Sequence, residues 1–539
     1  MYERGKSDGC VVPAKPANKA AVAVAELVEE RHPAKGNTDG ETQPGRRAGI
    51  DVSRDLDRVR EVAVRDKQVR FTALMHHITL NRLRWAYWAI SPKAAPGTDG
   101  VTWGAYGKDL EANLADLHQR VHRGSFRATP SRRVYIPKAD GRLRPLGIAA
   151  LEDKIVQRAV VEVLNAVFEA DFRNFSYGFR PRRGPHDALD ALAVGIERRK
   201  VNWVLDADIR DFFSNVDRDW LTKFLRHRIA DERLLRLIDK WLAAGVVEEG
   251  VWSEGQGTPQ GASISPLLAN VYLHHVLDLW ADWWRRHHAR GEVIIVRFAD
   301  DFICGFQHRA DAQRFLVDLR RRMAKFGLEL HPDKTRLIEF GRFAADNRAS
   351  RGLGKPETFD FLGFTHICGT SRTGRFKLKR VTIAKRIRMA LVKVKDELKR
   401  RMHQPIPALG RWLASVVRGH MAYYAVPDNA HAVGAFRKQV TRLWLKTLRR
   451  RSQRTTITWA RMSRLETRWL PKVRIMHPYP NVRLHANPQG RSPVRLFRSL
   501  VSVRGAARTG GPYRDPGRLW LLFGRSTGRR LSGGAGWTS

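Results

Sequence analysis

Cysteine is nearly absent. Cys10, Cys304 and Cys368 are the only three in 539 residues, and no two form a CxxC pair. That excludes a disulfide framework and argues against a zinc site of the cysteine type. Long apolar runs are also missing. Nothing reaches the length that crosses a bilayer, and the apolar stretch 20–28 is short and runs directly into Glu29, Glu30 and Arg31, unlike a signal peptide. The chain therefore reads as soluble and intracellular. Acidic residues are scarce as well: Asp plus Glu total 54 against 98 Lys plus Arg, a net charge of +44. An excess that large implies a polyanionic partner, and nucleic acid comes first because phosphate neutralisation dominates its binding. Sixteen Trp and 23 Phe are too many for a disordered basic chain, so a folded core exists.

Against that background two acidic sites stand out. Phe298-Ala299-Asp300-Asp301 lies between the apolar runs Val293-Ile294-Ile295-Val296 and Phe302-Ile303-Cys304-Gly305-Phe306. Both runs read as short buried strands, which places the two Asp at a tight hairpin. Alone, an Asp-Asp pair at a turn is ordinary turn chemistry. The second site is Val204-Leu205-Asp206-Ala207-Asp208-Ile209, a strand of alternating polarity that ends at Asp208 before Phe212 and Phe213. If the fold joins Asp208 to Asp300, two carboxylate strands flank one site for divalent metal. Magnesium takes oxygen ligands and commonly uses one or two carboxylates plus substrate phosphates, and paired ions suit in-line phosphoryl transfer.

Elsewhere the chain divides by composition. Residues 1–52 read as a disordered basic leader, rich in Ala, Pro, Gly, Lys and Arg. Ser53 is positioned to cap a helix through Leu56, Val59 and Val62, with helix continuing through Leu74, Ile78 and Leu83. Leu110, Leu114, Leu117 and Val121 stripe another helix. Residues 132–138 and 142–147 read as a basic hairpin about Ala139-Asp140-Gly141, carrying Lys138 and Arg144. Alternating strands and helices to about residue 365 give an α+β class. Beyond residue 380 the pattern turns helical and basic, with Trp412, Tyr423, Tyr424 and Trp444 interleaved. Basic plus aromatic is the composition of a nucleic-acid face.

Taken in order, these segments resemble a bacterial group II intron-encoded reverse transcriptase/maturase. The resemblance rests on Pro96-Gly97-Thr98-Asp99-Gly100, Ile136-Pro137-Lys138 with Arg144-Pro145-Leu146-Gly147, and Ser176-Tyr177-Gly178-Phe179-Arg180-Pro181. It continues through Asp208-Ile209-Arg210-Asp211-Phe212-Phe213, Gly257-Thr258-Pro259-Gln260-Gly261, Phe298-Ala299-Asp300-Asp301, Lys334-Thr335, Phe361-Leu362-Gly363-Phe364 and Arg418-Gly419-His420 with Tyr423-Tyr424. It spans roughly residues 55–480, and ordered agreement across many blocks is far more specific than any one of them.

The resemblance implies a right-hand polymerase: an N-terminal extension and fingers over 53–200, a palm with an antiparallel sheet over 201–370, a helical thumb/maturase domain over 371–476, and a basic tail over 477–539. It implies RNA-directed DNA polymerase activity with two magnesium ions, manganese being the alternative. The metal ligands would be Asp208, Asp300, Asp301 and the Ile209 carbonyl. Lys334 would donate a proton to the leaving pyrophosphate. Lys138 and Arg144 would hold the triphosphate, Phe213 would exclude a 2′-hydroxyl, and Gln260 would contact the sugar or template. The implied partners are group II intron RNA, an RNA template with a DNA primer, dNTPs and target DNA, with no membrane, in a cytoplasmic, nucleoid-associated ribonucleoprotein. Phe298 stands where the family usually has Tyr, which keeps the ring and loses the hydroxyl. The tail lacks the paired Cys and His-Asn-His pattern of the family's nuclease domain, so no endonuclease is expected. Two rival readings are a reverse transcriptase serving host defence and an RNA-binding splicing factor whose polymerase has decayed. Intact Asp208, Asp300, Asp301, Lys138 and Gln260 argue against decay.

Overall fold

The computed structural model describes residues 55–483, apart from 138–142, 249, 255–256, 259–260 and 452–456. The leader, its Ser53 cap, and the tail from residue 484 lie outside the described residues, as do Lys138 and Gln260.

Among the described residues eleven strands form three sheets. In chain order they are β1 (Ser131–Pro137), β2 (Leu143–Ile148), β3 (Trp203–Ala207), β4 (Val246–Glu248), β5 (Val251–Ser253), β6 (Val293–Phe298), β7 (Asp301–Phe306), β8 (Arg336–Glu339), β9 (Phe359–Phe361), β10 (Phe364–Thr370) and β11 (Phe376–Thr382). The first sheet runs β2-β1-β4-β5, with β1 and β4 parallel. The second runs β6-β7-β3-β8 and is antiparallel throughout. The third is the antiparallel meander β11-β10-β9.

The second sheet is covered on both faces. Every residue of β7 is buried, as are Val204, Leu205, Asp206 and Ala207 of β3. The alternating polarity of β3 therefore does not mark a solvent face: Asp206 is buried, and Arg336 Nη2 on β8 lies 3.5 Å from its Oδ2. The Leu151–Phe168 helix contributes Ile155, Val156, Val160, Val163, Leu164 and Val167 to the same core. A helix this apolar all round is one enclosed by its neighbours.

The N-terminal region differs from the continuous helix expected there. Helix covers Asp57–Arg65, a 3₁₀ turn covers Met75–His77, and a new helix runs Leu80–Ala89. The Thr79 hydroxyl accepts from Arg82 N–H and caps that new helix. Asp231 Oδ2 meanwhile takes the Leu74 and Met75 N–H groups at 2.7 and 2.8 Å. Tertiary capping thus overrides local helical pattern.

The C-terminal region has a core of its own, built by Ala384–Arg400, Ile406–Tyr424, Ala430–Arg449 and Trp459–Trp469 around Leu398, Leu413, Val417, Val440 and Trp444. Trp444 is fully buried, so it belongs to that core and not to the nucleic-acid face expected of it. Tyr423 and Tyr424 also look inward. The Tyr423 hydroxyl donates to Leu362 O at 2.8 Å, and both rings pack on Phe364. Their partner is the β9–β10 turn, where Leu362 and Gly363 both have positive φ, as a type I′ turn requires. Beyond this domain, residues 477–483 remain within the fold. His477 Nε2 lies 2.8 Å from Ala422 O, and Arg483 pairs with Asp187 and Asp190 of the Pro185–Arg198 helix.

Candidate active site

The site forms where β3 ends beside the β6–β7 hairpin. Phe298 pairs with Asp301, so only Ala299 and Asp300 make the turn. Ala299 has φ +56° while Asp300 is not in the left-handed region, which is the type II′ pattern. Glycine usually fills that first position, since a Cβ there costs energy. A second chain segment closes over the tip. Residues 175–177 run parallel to β6: Arg297 N–H donates to Phe175 O, and Tyr177 N–H to Arg297 O, both at 2.8 Å. Gly178 then lies flat against the turn. A Cβ at 178 would overlap Ala299 N and sit 2.7 Å from its Cα.

β3 pairs with β7 in the register Leu205–Cys304, Asp206–Ile303 and Ala207–Phe302. One step further, Asp208 leaves the sheet level with the hairpin tip. Its backbone is pinned, since His331 N–H and the Thr335 hydroxyl both donate to Asp208 O, at 2.7 and 3.3 Å. An antiparallel bridge joins Ile209 to Leu330 through Arg210 N–H to Glu329 O and His331 N–H to Asp208 O, which leaves the Ile209 carbonyl out of it. Lys334 Nζ lies 2.5 Å from Asp208 Oδ2.

Asp208 and Asp301 stand close enough to Asp300 to act on its charge. Asp208, Asp300 and Asp301 are all buried. Burial first, then the charges of Asp301 and Asp208, push the Asp300 carboxyl well above the usual aspartate range, with Arg144 pulling the other way. Asp208 Oδ1 and Asp300 Oδ2 are buried without a hydrogen-bond partner. Stranded carboxylate oxygens at the meeting point of three acids fit a divalent cation. Among the described residues no group of three or more His, Cys, Asp or Glu side chains is arranged to hold a metal ion by itself. A magnesium site completed by water and substrate phosphate needs none.

Comparison with known proteins decides the family. A family model described as reverse transcriptase (RNA-dependent DNA polymerase) matches residues 136–366. Protein YkfC of Escherichia coli is 34% identical over 278 residues, covering 45% of this chain and 72% of YkfC. The chain belongs to the reverse transcriptases. Its relatives include the group II intron-encoded protein LtrA of Lactococcus lactis, 32% identical over 224 residues, 41% of this chain and 37% of LtrA. They also include the nuclear intron maturase 3 of Arabidopsis thaliana, 32% identical over 124 residues, 23% of this chain and 17% of the maturase. The likeness thus extends to an intron-encoded protein and an intron maturase, each matched over less than half of its own length. Reverse transcriptases use divalent metal ions.

In this reverse transcriptase the remaining expected site residues fall as follows. Arg144, on β2, is buried and acts electrostatically on Asp300. Phe213, five residues after Asp208, opens a short 3₁₀ turn and is 9% exposed, its ring 4.5 Å from that of Phe212. Thr258 N–H donates to Phe213 O at 2.8 Å, and a Cβ at Gly257 would overlap that same carbonyl. The 257–258 segment is thereby brought against Phe213.

Sequence reasoning overlooked Arg297. It is fully buried, with Nε and Nη2 on the two carboxylate oxygens of Asp278 at 2.7 and 2.6 Å. Nη1 reaches Ala299 O at 2.6 Å and Asn270 Oδ1 at 3.1 Å, and Nη2 also reaches Ser176 Oγ at 2.7 Å. The signal was available: a lone charged residue in the apolar run Val293-Ile294-Ile295-Val296-Arg297-Phe298 must have a buried partner.

Proposed function

We propose that this protein copies intron RNA into DNA by two-metal phosphoryl transfer in a right-hand polymerase, and that it binds group II intron RNA to assist splicing. In this reading the β6-β7-β3-β8 sheet is the palm, the β1–β2 hairpin belongs to the fingers, and the helices from residue 384 form the thumb. The observation that carries it is the convergence of buried Asp208, Asp300 and Asp301, with Asp208 Oδ1 and Asp300 Oδ2 stranded. Asp208, Asp300 and Asp301, with the Ile209 carbonyl, would hold two magnesium ions, or manganese in their place. Such ions lower the pKa of a bound hydroxyl and neutralise charge on the leaving pyrophosphate.

The chain's own groups do the rest. Arg144, with Lys138 six residues before it, clamps the triphosphate as a fixed cation. Phe213, braced by Phe212 and by the 257–258 backbone, stands rigid enough to reject a ribose 2′-hydroxyl by contact. Gln260 contacts the nucleotide sugar or template. Lys334 rests on Asp208 before the reaction and supplies a proton to the departing pyrophosphate during it. Lys385, Arg388, Lys393, Lys395, Lys399 and Arg400 of the Ala384–Arg400 helix are exposed and offer RNA phosphates a basic face. RNA template, DNA primer, dNTPs and target DNA complete the set of partners. The protein works in a cytoplasmic, nucleoid-associated ribonucleoprotein, and among its described residues no helix is long and apolar enough to cross a membrane.

The two activities separate in one experiment. Asp208→Asn should lose DNA synthesis while still promoting splicing of a group II precursor RNA, because splicing help needs binding and not the carboxylates. Loss of both in a folded variant would contradict this division of labour.

A further inference from the structure

We infer that Arg297 is a positioning residue for catalysis: it fixes the peptide plane of the turn that carries Asp300, and so sets how that carboxylate meets metal. The inference rests on the polymerase reading. Its starting point is the turn. Ala299 holds a left-handed conformation that a residue with a Cβ adopts at a cost. In a two-residue hairpin the orientation of the central peptide distinguishes one turn type from another. That peptide is Ala299–Asp300, and its carbonyl oxygen is the atom that Arg297 Nη1 holds at 2.6 Å. A flip of this peptide would re-aim Asp300 without unfolding either strand.

Arg297 is itself held from three sides. Asp278 takes its fork at 2.7 and 2.6 Å, and both side chains are fully buried. A bidentate pair of this kind fixes direction as well as charge. Asp278 ends a π-helical turn, His274–Asp278, between the Ser265–Leu273 and Leu279–His287 helices. Such turns are rare and recur at functional sites. Asn270, one helical segment earlier, accepts from Arg297 with Oδ1 and donates from Nδ2 to Gly178 O at 2.7 Å. Gly178 is the residue lying on Ala299. Ser176 Oγ closes the ring at 2.7 Å. A helix, the segment at 176–178 and the catalytic turn are therefore joined through one guanidinium. A buried ion pair is weak evidence for stability alone. Here one arm of it ends on the turn carbonyl beside a metal-binding carboxylate.

The test uses Arg297→Lys, which keeps the charge and loses the fork, and Asn270→Ala, which leaves the Arg297–Asp278 pair intact. Single-nucleotide addition on an RNA template is followed while Mg²⁺ is titrated, with primer–template binding and thermal melting as measures of folding. For Arg297→Lys we expect kcat to fall about 100-fold, since roughly 1 Å of misplacement costs that much, with KM for dNTP nearly unchanged. The Mg²⁺ concentration for half-maximal rate should rise about tenfold, and Mn²⁺, the tighter-bound ion, should recover part of the rate. Asn270→Ala should shift the same quantities in the same direction by less. A merely structural role would lower the folded fraction and leave the Mg²⁺ midpoint unmoved. An unmoved midpoint in Asn270→Ala and in whatever fraction of Arg297→Lys folds overturns the inference. Absence of RNA-templated synthesis by the unaltered protein would instead remove the polymerase reading beneath it.

Discussion

Gly178→Ala is the sharpest perturbation of the candidate site. The added methyl carbon would overlap Ala299 N, and would lie 2.7 Å from Ala299 Cα and 2.8 Å from its Cβ. Ordinary contact begins near 3.4 Å. Something must therefore move by on the order of 1 Å, the scale at which misplaced catalytic groups lose about 100-fold in rate. Gly178 itself is not in the left-handed region, so alanine suffers no backbone penalty there and the effect is purely steric. On one side the strain meets backbone, and on the other Gly178 O is held by Asn270 Nδ2 at 2.7 Å, so relaxation passes into the turn. Overpacking of this kind costs about 1–3 kcal/mol, which a core of this size survives. The assay is single-turnover primer extension on RNA, with the melting temperature and primer–template affinity measured alongside. We expect a folded protein that binds primer–template normally and extends about 100-fold more slowly. Wild-type rates would refute the placement of Gly178 against a turn that carries a catalytic carboxylate.

Further outcomes follow from the same geometry. Phe213→Ala should admit rNTPs at least about tenfold more readily relative to dNTPs, read from competing single additions, because a missing contact in a snug pocket is worth about 1–3 kcal/mol. Lys334→Ala should lower kcat by about 10²–10⁴-fold, the usual worth of a positioned acid, and leave primer–template affinity unchanged. The folded-state pKa of Asp300 is raised, so its ionisation destabilises the fold: the cost is absent below the ordinary aspartate pKa and grows as pH rises through the elevated value. A divalent ion offsets that repulsion. The gain in melting temperature on adding Mg²⁺ should therefore be larger at pH 8 than at pH 5, and removing the metal with a chelator should reverse it. In metal-free buffer at pH 8, Asp300→Asn should melt higher than the wild type.

The sequence made parts of this architecture legible and hid others, for physical reasons. Two β-branched runs around Asp300 and Asp301 announced a hairpin because strand and turn signals there are local. The stripe Leu114, Leu117 and Val121 likewise named its own helix, and all three are buried. What stayed hidden was set by partners distant in sequence. The break before Leu80 depends on Asp231, and the burial of Asp206 depends on strands at 301–306 and 336–339. Aromatic residues misled most. Tyr423, Tyr424 and Trp444 have the composition of an RNA face, yet composition cannot tell a ring that packs on Phe364 from one awaiting a base. The arginine count hid the converse: it cannot tell a solvated cation from a buried one, and Arg297 is sealed in the core beneath the turn that carries Asp300.

RNA-directed DNA synthesis at Asp208, Asp300 and Asp301 is tested by extension of a labelled DNA primer on an RNA template with Mg²⁺ and four dNTPs, comparing the wild type with Asp300→Asn. We expect extension to the template end by the wild type and none above background by the variant. Equal extension by the two proteins would contradict it.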